Sequence, residues 1–433
     1  MFVISSLGYL TLFLLTMFVI CRAFHLPLFN PFSITLASLL PVEVVKVLVA
    51  PYFNGISSDY FYLKAVVLNL GFLFASVLGF LWWIFFFSKT KFPILSDTNC
   101  GRYRVESMTL RRLSYAFAGL FLVTAGLTMS LGGGGWKWIY ATREAYQFHR
   151  LGVGGFYALS ISSLSLTYLL FALSLAGKGS LKLLCCIALF VAFSFFFGSK
   201  GIMLNFAVFG LIILWYARSR VLPVMLVMVP GLVFPLMLFN LYQAYGGISL
   251  DHIFNYFDYY TNSMRFYEAF DSGDLSFYWG KVFLGDFWSL VPRIIYPEKP
   301  FVYGFLMINE FFYPGAAENT HTPAFGGPTQ YYADFGAFGV MLAGLVQGKV
   351  LSIAFLAWFL FGRYRFDALP MDGYFDLRAV VVFAFLFAPD FLLFFHPVFG
   401  LFTFVLVVSS IYLWRRSCSS RHASIGSNGR KMI

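Results

Sequence analysis

The chain has 433 residues, 60 % of them hydrophobic and 11 % charged. A soluble domain carries about 25 % charged residues, so this composition excludes an ordinary soluble protein and indicates a membrane one. The formal net charge of +11 is spread along the chain with no concentrated basic patch, which excludes nucleic acid as a partner.

A helix that crosses the hydrocarbon needs roughly 20 apolar residues. In chain order the stretches read as spans are 2–21, 31–53, 63–87, 113–131, 155–176, 181–197, 201–216, 222–243, 336–360, 379–395 and 397–413, which makes eleven. The pair on either side of Gly198 is short, but fused it would exceed one span and bury Lys200 in lipid. No basic residue precedes the first stretch, so it reads as a span that stays and not as a cleaved signal. The expected architecture is all-α and polytopic. An eight-helix bundle covers 1–243, a large outer loop 244–335, the last spans 336–413, and a polar, basic, disordered tail 414–433.

Orientation follows from the basic residues. One alternating set of connections, including Lys89, Arg104, Arg112, Lys182, Arg220, Arg363 and Arg415, holds 19 Lys and Arg. The opposite set holds nine: Lys64, Lys137, Arg143, Arg150, Lys200, Arg265, Lys281, Arg293 and Lys299. Positive charge collects on the cytoplasmic side. The loops 132–154 and 244–335 are therefore expected outside, with the N-terminus outside and the C-terminus inside. The cytoplasmic connections are short and hold no P-loop, no GxGxxG and no Asp-x-Asp clamp, which excludes ATP or a nucleotide sugar as donor there. The five cysteines form no disulfide framework and no zinc spacing, so neither a metal nor another cofactor is expected. Any chemistry lies outside and uses a donor already activated.

The outer loop 244–335 carries 26 aromatic residues in 92 positions, denser than the 21 % of the whole chain, together with ten carboxylates. Rings pack against the C–H faces of sugars, and neighbouring polar groups direct their hydroxyls. The same rings could instead form the core of a folded cap.

Four outer segments could carry chemistry. In 132–154, four glycines precede Trp136 and Trp138, which suit an interface belt. On a helix, Arg143 and Arg150 share a face, where two guanidinium forks suit a pyrophosphate; two snorkelling arginines are the alternative. In Gly198-Ser199-Lys200-Gly201, small residues expose N–H groups beside an ammonium, as in an anion nest or a plain tight turn. Between Arg293 and Pro300, two prolines stiffen a segment holding Arg293, Glu298 and Lys299, which as a surface turn would leave those charges solvated. From Glu318 to Gly339, polar irregular backbone leads into a span, where it is costly unless it lines a cavity. There His321 suits a general base, with Asp334 a comparable candidate and a structural histidine the alternative. Within spans, Glu43 with Lys46 and the lone Asp390 are ionisable groups that default to a functional reading.

These segments resemble the Wzy-type oligosaccharide repeat-unit polymerases, which stand close to the O-antigen ligases. Ser199-Lys200-Gly201 is similar to the family's Ser-Arg-Gly turn, with Lys in place of Arg. Pro292-Arg293 with Lys299-Pro300 resembles its Pro-Arg…Lys-Pro segment. Thr322-Pro323 through Tyr331, Tyr332, Asp334 and Gly339 resembles its stretch before a late span; His321-Thr322 stands where ligases often have His-Asn. The resemblance implies a GT-C-like helical fold in the bacterial inner membrane and a metal-independent glycosyltransferase. It would polymerise lipid-linked repeat units of O-antigen or exopolysaccharide from undecaprenyl pyrophosphate at the periplasmic face. His321, Arg293 and Asp334 would be catalytic. Arg143, Arg150, Lys200, Arg265 and Lys299 would bind pyrophosphate or glycan. Implied partners are the undecaprenyl-pyrophosphate-linked oligosaccharide and membrane lipids, with a chain-length regulator and a flippase beside them. A ligase is the nearest alternative and a flippase or other transporter the non-enzymatic one.

Overall fold

A computed structural model describes residues 59–89, 104–150, 152–175, 180–216, 234–247, 260–291, 296–318, 328–362 and 374–376, with scattered single positions elsewhere. The expected spans 31–53, 379–395 and 397–413, the tail 414–433 and most of 2–21 lie outside the described residues, as do Glu43, Lys46 and Asp390. What is described is helical, apart from one short ribbon. Tyr60–Trp82, Ser107–Leu131 and Gly154–Leu175 are long and apolar enough to cross a membrane.

Helix α1 (Asp59–Lys89) and the last described helix, α12 (Thr329–Gly362), form one pair. Gly71 meets Met341, Gly344 meets Ala75, and Gly348 meets Ser76 and Phe80, so the two helices run parallel. A Cβ at Gly344 would stand 2.6 Å from the Phe72 carbonyl oxygen, and one at Gly348 2.6 Å from the Phe80 nitrogen. Lipid is as apolar as a leucine, so such a pair is held by close backbone packing, which only small residues permit. The α12 backbone breaks at Phe335 (φ −140°, ψ 20°) and Gly336 (φ 61°, ψ −149°). The expected start of this span, 336, coincides with that break.

Helices α2 (Ser107–Leu131) and α5 (Gly154–Leu175) form an antiparallel pair. At its centre the Ser160 hydroxyl lies 3.0 Å from Thr124 Oγ1, and each also donates to a carbonyl of its own helix, so no cost of burying bare hydroxyls arises. Helix α6 (Ser180–Ser194), a 3₁₀ turn (Phe195–Phe197) and α7 (Lys200–Tyr216) pack beside α5. Tyr168 of α5 stacks between Phe190 at 5.0 Å and Phe206 at 5.4 Å, and its hydroxyl donates to the Phe206 carbonyl. The expected division at Gly198 is present: its φ of 61° is left-handed, which ends the turn before α7 begins. Helix α8 (Phe234–Tyr245) follows.

Strand β1 (Arg104–Glu106) pairs antiparallel with β2 (Tyr374–Asp376). The ribbon stands next to the start of α2.

The described residues between 244 and 335 pack on the N-terminal end of α1 as a cap. It holds α9 (Tyr260–Asp271), α10 (Lys281–Gly285) with the 3₁₀ turn Asp286–Leu290, and α11 (Leu306–Phe312). Helix α9 buries Met264, Phe266 and Tyr267 against Tyr62, Ala65 and Val66 of α1. Each such large side chain, fully buried, contributes roughly 1.5–3 kcal/mol. Lys64 of α1 clamps the seam through Asp271 at 2.5 Å and stands over the Tyr332 ring at 5.3 Å. Much of the aromatic excess is therefore core: Phe266, Phe270, Phe325 and Tyr332 pack on one another.

Candidate functional site

The loop 132–154 turns back over the bundle through two left-handed glycines, Gly133 (φ 72°) and Gly135 (φ 50°). It then forms α3 (Lys137–Tyr140) and α4 (Thr142–Phe148). Of the two tryptophans assigned to an interface belt, Trp136 is 73 % exposed but Trp138 is fully buried. The Trp138 ring packs 5.6 Å from Phe196 and 5.8 Å from Tyr157, so it pins the loop to the bundle. Positions two apart face opposite ways here because α3 is a single turn with one face on the protein.

Gly198 presses against the carbonyl of Thr142, an approach that any side chain would prevent. Arg143 Nη1 donates to the Gly198 carbonyl at 3.3 Å, and the Arg143 backbone N–H donates to Gln243 Oε1 at 3.1 Å. Gln243 Nε2 donates in turn to the Tyr140 carbonyl at 2.7 Å. Three distant pieces of sequence, α4, the 198–201 turn and the end of α8, are thus tied together. Lys200 is the first residue of α7, two positions past the carbonyl that Arg143 holds.

Helix α4 stops before Arg150, yet the two arginines still converge. The Arg143 guanidinium lies 5.4 Å and that of Arg150 4.4 Å from the Tyr146 ring centroid. Arg150 also stands 5.9 Å from the Tyr157 ring. Burial opposes its charge, but the phenol oxygens of Tyr146, Tyr157 and Tyr303 outweigh that, and its pKa is raised. It is a full cation at any working pH. Glu144, in the same turn, is engaged by Lys137 at 2.6 Å.

Tyr303 brings the cap to this cluster. Lys299, expected to be a solvated or ligand-binding cation, is only 8 % exposed. Its ammonium donates to the Val291 carbonyl at 3.1 Å and lies 4.5 Å from the Tyr303 ring. It therefore ties Lys299 back to Val291. After Tyr303, Gly304 takes a left-handed φ of 54° against Asp286. Burial pushes the Asp286 carboxyl up to about 6; the Phe305 N–H, donating at 3.4 Å, pulls it down, and the charge of Asp334 adds to the rise.

Asp334 is 1 % exposed. Its carboxylate accepts the N–H groups of Gly280, Val282 and Phe283 at 2.9, 3.1 and 2.8 Å. Those are donors that the first turn of α10 leaves without helical partners, so Asp334 caps that helix from the neighbouring element. Arg265 is exposed on α9, the helix that seats the cap on α1. Arg293 and His321 lie outside the described residues. Sequence reasoning passed over Tyr157, Tyr303, Gln243 and Asp286. None stands in a motif, and only the crowding of tyrosines hinted at them.

No family model matches the chain. No solved structure matches it either. Two curated proteins do: the O-antigen polymerases of Salmonella typhimurium strain LT2 and of Salmonella typhi, each 26 % identical over 219 residues. The match covers 49 % of this chain and 52 % of each relative, so the chain spans about half the length of the curated relatives it matches. Over about half its length, the chain is thus similar to proteins named O-antigen polymerase, the same group that its Ser199-Lys200-Gly201 and Pro292-Arg293 segments resemble.

Proposed function

We propose that this protein polymerises lipid-linked oligosaccharide repeat units at the periplasmic face of the bacterial inner membrane, as a metal-independent glycosyltransferase. The growing glycan leaves undecaprenyl pyrophosphate and passes to a sugar hydroxyl of a second lipid-linked unit. The bond broken is the anomeric C–O bond to the diphosphate; the bond formed is the new glycosidic C–O. The acceptor proton goes to a base, for which His321 has the fitting chemistry.

One observation carries this reading: Arg143 and Arg150 converge on a single tyrosine ring, beside the turn that begins at Gly198 and next to Tyr303 of the cap. Two fixed guanidinium groups suit the charge that develops on a departing diphosphate. Lys200 and Arg293 flank this place in sequence and would share the load. Lys299 and Arg265 would serve the glycan side. Asp334, engaged by three N–H groups, acts as a positioning residue. A chain-length regulator and a flippase are the fitting partners for such a step.

The test is the glycan ladder of a strain whose only copy carries Arg143→Ala, Arg150→Ala or both. Loss of one preorganised charge contact of this kind costs about 10²–10³ in rate. Lipid should then carry single repeat units at unchanged protein level, while Lys137→Ala keeps a normal ladder. A wild-type ladder from the double variant would remove the assignment.

A further inference from the structure

The cap presents an apolar face that its own core does not use. Trp279, Phe283, Leu284 and Phe287 are each between 59 % and 73 % exposed, within nine residues of chain. Their neighbour Val282 is buried, so the segment is apolar on its outward side as well as on the side that meets the cap's own core. Contiguous exposed apolar surface of this kind marks a contact with something.

The backbone is bent to make this face. Trp279 has φ 52°, the single non-glycine residue with positive φ among the described residues, and Gly280 follows at φ 86°. A left-handed tryptophan is disfavoured by its own Cβ, so a compensating contact is required. The three N–H groups held by buried Asp334 fix the segment in that posture.

What covers it follows from where it sits. Gly280 stands against the Phe335 ring and Gly336 against the Phe277 ring. The register of α12 along α1 sets Gly336 beside the turn of α1 that carries Lys64. That turn, with its ion pair to Asp271, marks the polar boundary of the span. Below Gly336, Phe338, Leu342, Leu345 and Val346 continue the exposed apolar surface along α12. The cap's apolar face is thus continuous with the side of a helix that runs beside a membrane span.

We propose that residues 279–287 form an interfacial anchor whose Trp279, Phe283, Leu284 and Phe287 side chains enter the acyl region of the adjacent leaflet. The partner is bilayer lipid. Trp279 lies at headgroup level, as tryptophans prefer, and the helical turns lie flat with their apolar side down. The anchor holds the cap, and Tyr303 with it, at a set height over the membrane. It is independent of the transfer chemistry above.

The experiment uses the full chain in phospholipid nanodiscs, with its native cysteines replaced by serine. A nitroxide is attached in turn at Trp279→Cys, Phe283→Cys, Leu284→Cys and Phe287→Cys, with Asp274→Cys in the same loop as the aqueous control. Collision with oxygen should exceed collision with a water-soluble nickel chelate severalfold at the four anchor positions, and the order should reverse at 274. Access to the chelate at the anchor positions equal to that at 274 overturns the proposal. So does exclusion of both reagents, which would mean that protein, not lipid, covers the face. Four separate positions keep the test open should one labelled variant fail to fold.

Discussion

Replacing Asp334 by Asn separates two roles for this carboxylate. The side chain keeps its shape and loses its charge. In the native protein Oδ1 accepts two N–H groups and Oδ2 a third. The amide keeps one oxygen and turns its NH₂ toward a backbone donor, so at least one buried N–H is left facing another donor. The loss of a charge-assisted bond at a buried site is worth about 2–3 kcal/mol. At about 1.4 kcal/mol per tenfold, local opening of the 279–287 segment should rise roughly 30- to 150-fold. Hydrogen exchange on peptides covering 280–285 reads that opening directly. Helices α2 and α5, far from the cap, should keep their protection. Polymer length should fall as the segment loosens. If chain growth is abolished while exchange at 280–285 stays at the wild-type rate, Asp334 handles a proton and the positioning role is wrong.

Two further outcomes follow from the packing and the charges. Asp286 has its carboxyl raised from 3.8 to about 6 by burial, so the native state favours its protonated form. Its contribution to stability is full below the ordinary value of 3.8 and is lost as pH rises through about 6. Asp286→Asn should remove that fall, giving a thermal midpoint flatter between these pH values and higher at neutral pH; an unchanged profile would show that the side chain is solvated. Gly348→Leu places a side chain against the Ser76 carbonyl and 2.6 Å from the Phe80 nitrogen. Overpacking of this kind costs about 1–3 kcal/mol, so thermal unfolding in detergent should shift down by several degrees, and an unaltered midpoint would mean that α1 and α12 do not rely on this seam.

Some of this was legible from residues alone. The helices at 59–89, 107–131, 154–175 and 200–216 match hydropathic stretches read from the sequence, and the breaks at Gly198 and Gly336 fall where small residues interrupt apolar runs. Helical spacing pairs Arg143 with Arg150, and both lie near the Tyr146 ring, although the helix ends between them. Other positions were read too simply. Trp138 suits the membrane interface by type and is core, and a proline-stiffened surface turn would leave Lys299 solvated, whereas its ammonium is held by the Val291 carbonyl. In each case the residue type was correct for a surface, and the packing of neighbouring segments changed its environment.

The amino-acid order by itself determined that this chain lives in a membrane and where most of its described spans begin and end. Insertion into lipid and the bias of Lys and Arg are sums over local stretches, independent of what each stretch touches. Only the tertiary structure decided that α1 lies along α12, that Asp334 caps a helix in the cap, and that Tyr303 stands near Arg150 of another loop. Those pairings depend on shape at small residues and on single hydrogen bonds between positions scores of residues apart, and neither leaves a periodic trace in the sequence.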